Sequence, residues 1–170
     1  MKTLLCDFDN SFTLTICGSF RRGKSESGDI DALVTHPSLK AGEPKKSRGE
    51  TMLQKIVEKL KGLVIDTISM GDTKFMGVCR QSAELPARRL DIRLVPCDQF
   101  YCAVLYFTGS DVFNKTMRTH ALEKGFTLNE YALRPMGATG VPGEPVPITS
   151  EEDIFDYIEY PYKKPEERNL

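Results

Sequence analysis

The feature that most restricts the fold is a pair of carboxylates inside an apolar run, Asp29-Ile30-Asp31-Ala32-Leu33-Val34. The aliphatic residues predict a strand, in which successive side chains point to opposite faces of a sheet. Asp29 and Asp31 are therefore expected on one face, with Ile30 and Ala32 turned toward the core. Because like charges repel, two acids on one face favour a site that binds cations.

A third acid, Asp91, lies in a second alternating segment from Arg88 to Val95. One face of this predicted strand is apolar and the other charged, with Leu90, Ile92 and Leu94 opposite Arg89, Asp91 and Arg93. If the two strands are neighbours, the three carboxylates converge and hold divalent cations such as Mg²⁺. Two such ions suit phosphoryl transfer, and Asp91 would lie beside the nucleophile.

An isolated Asp-x-Asp pair is more often a solvated strand edge than a metal site. The residues before this pair favour the metal site. Gly18-Ser19 leaves room for backbone N–H groups and a hydroxyl to approach phosphate oxygens, and Arg22 is a fork-shaped donor for the same anion. Gly28 allows close backbone approach directly before the first acid.

The remaining pattern predicts an α+β fold in two parts. Residues 1–96 are expected to form a sheet covered by helices, with strands near 12–17, 63–69 and 74–79 and a helix over 52–64. Residues 97–170 are expected to be mostly helical, with helices over 98–107 and 111–124 on either side of Gly109-Ser110. A strand over 126–133 and a final helix near 154–158, capped by Thr149-Ser150, complete this part.

Composition narrows the classes of function. The net charge of −1 argues against a strongly basic nucleic-acid clamp, so a nucleic-acid contact would be local, at clusters such as Lys40 to Arg48 or Arg88-Arg89. No apolar run approaches the roughly 20 residues that span a bilayer, so no membrane partner is expected and the predicted location is intracellular. The five cysteines show no metal-ligand spacing, which predicts reduced structural thiols.

Three motifs together resemble a known family. Gly18-Ser19 followed by Gly28-Asp29-Ile30-Asp31 resembles the nucleotidyltransferase superfamily, and Gly18-Ser19-Phe20-Arg21-Arg22-Gly23 narrows the resemblance to family X, the beta-type DNA polymerases. The segment from Arg88 to Arg93 resembles the strand of the third acid, and Leu105 to Asp111 resembles the nucleotide-binding helix junction. The resemblance runs from about Phe12 to the C-terminus, whereas Met1 to Asn10 does not resemble the family's helix before the first strand.

The resemblance implies a role for individual residues. It implies a palm subdomain over 1–96, which carries the catalytic and metal-binding acids, and a nucleotide- and template-binding subdomain over 97–170. The metal ligands would be Asp29, Asp31 and Asp91, and the nucleotide ligands Ser19, Arg22, Gly28, Tyr106, Phe107, Gly109, Asp111 and Asn114. The DNA-binding residues would be Lys74, Arg89, Lys115 and Arg118, and a conformational switch would comprise Arg93, Glu130 and Tyr131.

The function implied is template-directed DNA synthesis that fills gaps in base-excision repair, by two Mg²⁺ ions for which Mn²⁺ can substitute. The partners implied are a dNTP, primer-template or gapped DNA, and base-excision-repair proteins, in the nucleus with the cytoplasm as a second location. The family's N-terminal lyase domain and helix-hairpin-helix DNA contacts have no counterpart in these 170 residues. The alternative is therefore a truncated, catalytically weak fragment that binds nucleotide or metal. A template-free nucleotidyltransferase would not require the junction at Tyr106 to Asp111.

Overall fold

The structure is a computed structural model that describes residues 1–42 and 51–170. Most of the predicted basic cluster from Lys40 to Arg48 lies outside these residues. Within them, no helix combines the length and the apolar character needed to cross a membrane. The chain divides into two compact units, a first unit of Met1–Ile16 and Ser27–Cys97 and a second unit of Cys17–Glu26 and Asp98–Leu170. The second unit thus includes Cys17–Glu26, a segment from within the range 1–96 that was predicted to form the palm; the functional division stays a prediction.

The strands are β1 (Thr13–Ile16), β2 (Ile30–Thr35), β3 (Val64–Met70), β4 (Lys74–Cys79), β5 (Arg88–Leu94), β6 (Phe126–Leu128) and β7 (Leu133–Pro135). The α-helices are α1 (Lys2–Phe8), α2 (Gly18–Arg21), α3 (Met52–Lys59), α4 (Phe100–Thr108), α5 (Asp111–Glu123) and α6 (Glu151–Tyr157), and a 3₁₀ helix spans Pro165–Arg168.

The first unit is built on a five-stranded sheet in the order β1-β2-β5-β4-β3. Strands β2 and β5 are parallel, and the other neighbours are antiparallel, so the sheet is mixed and the predicted α+β class is confirmed. Alternation along β5 is as expected, because Leu90, Ile92 and Leu94 are buried in the core of this unit. The two strands that carry Asp31 and Asp91 are therefore neighbours in the middle of the sheet.

Helix α3 covers this core with Leu53 and Ile56, which are fully buried. Its N-terminus is a capping box, in which the Thr51 hydroxyl accepts from the Gln54 backbone N–H and the Gln54 side chain accepts from the Thr51 N–H. The sequence predicted that this helix extends to residue 64, but it ends at Lys59. Val64 belongs instead to β3, where it pairs with Cys79.

The second unit packs around a separate apolar core that includes Phe113, Met117 and Phe155. Ser110 caps α5 by accepting from the Phe113 N–H. Ser150 caps α6 by accepting from the Asp153 N–H, which agrees with the cap predicted at Thr149-Ser150. The predicted strand over 126–133 is instead the hairpin β6–β7. The side chain of Asn129 accepts from the N–H groups of Tyr131 and Ala132 and so closes a turn in the middle of the segment.

The five cysteines are free thiols, as expected. Burial among apolar side chains raises the pKa of the Cys102 thiol to about 12, which keeps it protonated and unreactive at neutral pH.

Candidate active site

Two of the predicted metal ligands lie side by side in the first unit. Asp31 of β2 and Asp91 of β5 are register partners on parallel strands. The apolar residues next to them, Ala32 and Ile92, belong to the core on the opposite face of the sheet. The Asp31 and Asp91 side chains are 30% and 16% exposed, so solvent and a substrate can reach both carboxylates.

Asp29 does not lie in the strand, contrary to the prediction. Strand β2 begins at Ile30, which pairs with Leu90, and Asp29 is an exposed residue in the preceding bend. The Ser27 hydroxyl donates to the Asp29 carbonyl at 3.2 Å within this bend. The Arg88 Nη1 donates to the Ser27 carbonyl at 2.7 Å and holds the same bend against β5.

Each of the paired carboxylates has an arginine partner. Arg89 Nε lies 2.9 Å from Asp91 Oδ1, on the same face of β5 two residues away. Arg93 Nη1 donates to Asp31 Oδ1 across the two strands, so a predicted switch residue is paired with a predicted metal ligand. The two guanidinium groups offset the repulsion between the adjacent carboxylates.

The predicted convergence of three carboxylates is not found. Across residues 1–42 and 51–170, no three His, Cys, Asp or Glu side chains come together as a group that could hold a metal ion. The physical reason is that Asp29 stands outside the strand while Asp31 and Asp91 are bound by arginines. The donor chemistry of the remaining pair does fit Mg²⁺, which takes one or two carboxylates together with waters and substrate phosphates. The metal role of the three acids stays a prediction.

Six of the predicted nucleotide ligands surround one open pocket of about 470 Å³ in the second unit. They are Arg22, Tyr106, Phe107, Gly109, Asp111 and Asn114. The pocket forms where α4 ends and α5 begins. Gly109 makes that junction with φ of +65°, a conformation that other residues rarely adopt.

The junction also fixes the side chain of Arg22. Its Nη1 donates to the Thr108 carbonyl at 2.6 Å, and its Nε donates to Asn169 Oδ1 at 2.8 Å. A Cβ at Gly109 would lie 3.2 Å from Nη1, so glycine lets the guanidinium approach the backbone closely. The result is a cation held at the wall of the pocket.

Asn114 is buried although it was predicted to flank the base. Its Nδ2 donates to the Tyr106 carbonyl at 2.8 Å and so ties α5 to the end of α4. Tyr106 and Phe107 meet edge to face, with ring centroids 5.0 Å apart, and both are half-buried at the pocket. Lys115 and Arg118, predicted to bind DNA, are exposed on α5.

The other predicted residues are divided between the two units. Gly28 and Lys74 are exposed in the first unit, Ser19 is half-buried in α2 of the second unit, and the switch residues Glu130 and Tyr131 occupy the β6–β7 turn. Gly18-Ser19, predicted to let backbone N–H groups approach phosphate oxygens, thus begins a short helix. No sequence pattern pointed to Thr108 or Asn169 as partners of Arg22, or to Leu170 at the pocket wall. Thr108 lies within the segment Leu105 to Asp111 that resembles the helix junction but was given no role of its own, whereas Asn169 carries no local signal.

Comparison with known families matches two models to this chain. The model described as DNA polymerase beta palm matches residues 1–97, and the model described as DNA polymerase beta thumb matches residues 103–169. The palm match begins at residue 1, so the expectation that Met1 to Asn10 does not resemble the family is wrong. These residues form α1, which buries Leu5 in the core of the first unit.

Individual proteins are similar along nearly the whole chain. DNA polymerase lambda of Rattus norvegicus is 38% identical over 95% of this chain, and DNA polymerase lambda of Arabidopsis thaliana is 32% identical over 91%. The DNA-directed DNA/RNA polymerase mu of Homo sapiens is 29% identical over 92%. The aligned regions make up 30%, 32% and 36% of these proteins, so the chain spans about a third of their length.

Proposed function

This chain belongs to the family of DNA polymerase beta, and from that membership we propose that it transfers deoxynucleotides from a dNTP to a primer end as a template directs. The adjacent carboxylates of Asp31 and Asp91 on parallel strands carry this proposal, because they supply the hard oxygen ligands that phosphoryl transfer needs. The named relatives support a polymerase, since two are called DNA polymerase lambda and one DNA-directed DNA/RNA polymerase mu. We further propose that the synthesis fills gaps in base-excision repair in the nucleus.

We propose that Asp29, Asp31 and Asp91 hold two Mg²⁺ ions. When bound, the ions would lower the pKa of the primer hydroxyl and neutralise charge on the triphosphate. Asp91 orients the attacking hydroxyl, and Arg89, which donates to Asp91, would also contact the primer-terminal phosphate. Lys74 would add a second contact with the DNA backbone.

The pocket of the second unit would bind the incoming nucleotide. Arg22 donates to the triphosphate, with Ser19 and the backbone at Gly28 as further phosphate ligands. Tyr106, Phe107 and Gly109 would contact the sugar, and Asp111 and Asn114 would flank the base. Lys115 and Arg118, exposed on α5, would contact the template strand.

Arg93 would regulate the availability of Asp31. Since the Arg93 guanidinium and a metal ion compete for the same carboxylate, Arg93 has to exchange its partner before Asp31 becomes a ligand. We propose Glu130 as the second partner of Arg93, with Tyr131 beside it in the β6–β7 turn.

The proposal is tested by single-nucleotide incorporation with the purified chain, Mg²⁺ and primer-template DNA of known next base. The expected result is incorporation of the complementary dNTP in preference to the other three. Nucleotide and Mg²⁺ binding without incorporation would favour the catalytically weak fragment instead. Incorporation that ignores the template base would contradict the proposal and favour a template-free nucleotidyltransferase.

A further inference from the structure

Asn169 and Arg22 form a reciprocal pair in the second unit. The Asn169 Oδ1 accepts from Arg22 Nε at 2.8 Å, and the Asn169 Nδ2 donates to the Arg22 backbone carbonyl at 3.0 Å. One amide group therefore binds both the side chain and the backbone of the same arginine. Together with the bond from Nη1 to the Thr108 carbonyl, these contacts fix the plane of the guanidinium.

Asn169 is itself held in place. Its Nδ2 also donates to the Glu166 carbonyl in the 3₁₀ helix Pro165–Arg168, at 3.1 Å. The preceding residue, Arg168, is fully buried and donates through Nε and Nη2 to the Lys163 carbonyl at 3.0 and 2.8 Å. The Arg168 guanidinium also lies 5.5 to 5.9 Å from the ring centroids of three aromatic residues, Phe113, Phe155 and Tyr162.

A single buried carboxylate ties the two segments together. Glu151, 4% exposed, pairs through Oε2 with Arg168 Nη1 at 2.7 Å and through Oε1 with Arg21 Nη2 at 2.5 Å. Arg21 also donates to the Thr108 hydroxyl at 2.9 Å. Arg21 and Arg168, the sequence neighbours of Arg22 and Asn169, are thus both paired with Glu151. These ion pairs restrict the movement of Arg22 and Asn169 before a ligand binds.

The arrangement leaves one nitrogen of Arg22 for a ligand. Nε and Nη1 have protein acceptors, whereas Nη2 donates to no residue in the described ranges 1–42 and 51–170. Because Arg22 lines the open pocket, a phosphate there can accept from Nη2. We infer that Asn169 is a positioning residue that orients Arg22 for the triphosphate; the inference rests on the proposed function, in which Arg22 binds that group.

The test is a double-mutant cycle on the full chain, with inorganic tripolyphosphate and a Mg²⁺-loaded dNTP as probes and isothermal titration as the measurement. Asn169→Ala should weaken binding of both probes by about 2- to 10-fold, the fold-change for one lost hydrogen bond. In an Arg22→Ala background, the same substitution should change affinity by less than about 2-fold, because its effect passes through Arg22. A nucleoside without phosphates should bind equally well to all variants.

Two further variants control for charge and for folding. Glu166→Gln removes a neighbouring charge but keeps the backbone carbonyl that Asn169 uses, and it should bind tripolyphosphate like the parent. Asn169→Asp keeps an acceptor for Nε and adds a competing anion. At low ionic strength, Asn169→Asp should therefore weaken tripolyphosphate binding more than Asn169→Ala does. This variant also provides the measurement if the alanine variant does not fold.

The outcomes separate the inference from the proposed function. Arg22→Ala with unchanged affinity for tripolyphosphate would overturn the phosphate role of Arg22 itself. If Arg22→Ala weakens tripolyphosphate binding but Asn169→Ala does not, only the inference about Asn169 is overturned. Equal losses from Asn169→Ala in the presence and absence of Arg22 would also overturn it, since they would show that Asn169 does not act through the arginine.

Discussion

Arg93 and Asp31 form an ion pair that has to open before Asp31 can bind a metal ion in the proposed reaction. Asp31 is needed as a metal ligand, and Arg93 occupies it. If Glu130 accepts Arg93 during the reaction, Glu130→Lys should lower nucleotide incorporation while dNTP affinity changes little, because the pocket residues stay intact. Glu144→Lys, at an exposed acid of the same unit, is the control. Equal losses of incorporation and dNTP affinity would indicate general damage rather than a switch.

Asp9 and His36 form a second residue pair, on the first unit. His36 Nε2 lies 2.9 Å from Asp9 Oδ2, and the Ser11 N–H donates to Asp9 Oδ1 at 2.8 Å. The Ser11 N–H, followed by the His36 side chain, lowers the pKa of Asp9 from 3.8. A lowered pKa in the folded state stabilises the fold above the unfolded pKa, and this contribution is lost as the pH falls through the folded value.

The prediction is that Asp9→Asn changes the acid side of the stability profile. Its free energy of unfolding should lie below that of the parent at about pH 5, and the difference should shrink as the pH falls below the unfolded pKa of 3.8. Urea unfolding at a series of pH values measures this. Asp7→Asn, at an exposed acid of α1, is the matched control. A constant difference down to pH about 2 would show that the Asp9 charge is not responsible.

At the scale of elements, Glu151 at the start of α6 joins α2 and the 3₁₀ helix through Arg21 and Arg168. Removal of a shared buried carboxylate leaves a cation without compensation in the protein interior. Glu151→Gln should therefore lower the free energy of unfolding by about 3–5 kcal/mol, the usual cost of breaking a buried ion pair from one side. Chemical denaturation measures the loss, with the exposed neighbour Glu152→Gln as control. A loss no larger than that of the control would mean that the ion pairs contribute little.

The elements that sequence predicted well are those with strong local patterns. Strand β4 has the predicted bounds, Lys74–Cys79, because apolar residues alternate along it. Helix α1 was missed because it has only seven residues, no side-chain cap and no acid in its first turn. The hairpin β6–β7 was merged into one strand because its turn depends on the Asn129 side chain rather than on glycine or proline.

The candidate site was predictable in composition but not in geometry. The acids and the pocket residues followed from motifs and alternation. The partnership of Asp31 with Asp91 depends on the register of two strands 60 residues apart in sequence, which no local pattern encodes. The bond between Arg22 and Asn169 joins residues separated by 147 positions, so it could be found only in the folded chain.

At the scale of the whole molecule, the net charge of −1 limits how strongly this chain can bind DNA by itself. If few Lys or Arg residues contact phosphates, the affinity for DNA is low and depends little on salt. Each neutralised phosphate contributes only about −0.9 to the slope of log K against log salt concentration. Fusion of an unrelated DNA-binding domain to Met1 should compensate, since tethering adds roughly 10²–10⁴ in avidity. We therefore expect the fused chain to extend primers that the chain alone extends poorly.

The most direct test of two-metal nucleotidyl transfer at Asp31 and Asp91 is single-nucleotide incorporation by this fusion at low salt, with Mg²⁺ and primer-template DNA. The parent fusion should incorporate the complementary dNTP. The Asp91→Ala fusion should fold and bind DNA as the parent does. Its rate of nucleotide incorporation should fall by about 10³-fold or more, which corresponds to a loss of several kcal/mol of transition-state stabilisation. Asp7→Ala, at an exposed acid of α1, should keep the parent's rate. An Asp91→Ala fusion that extends primers as fast as the parent, or a parent fusion that binds DNA tightly yet incorporates nothing, would contradict the proposed mechanism.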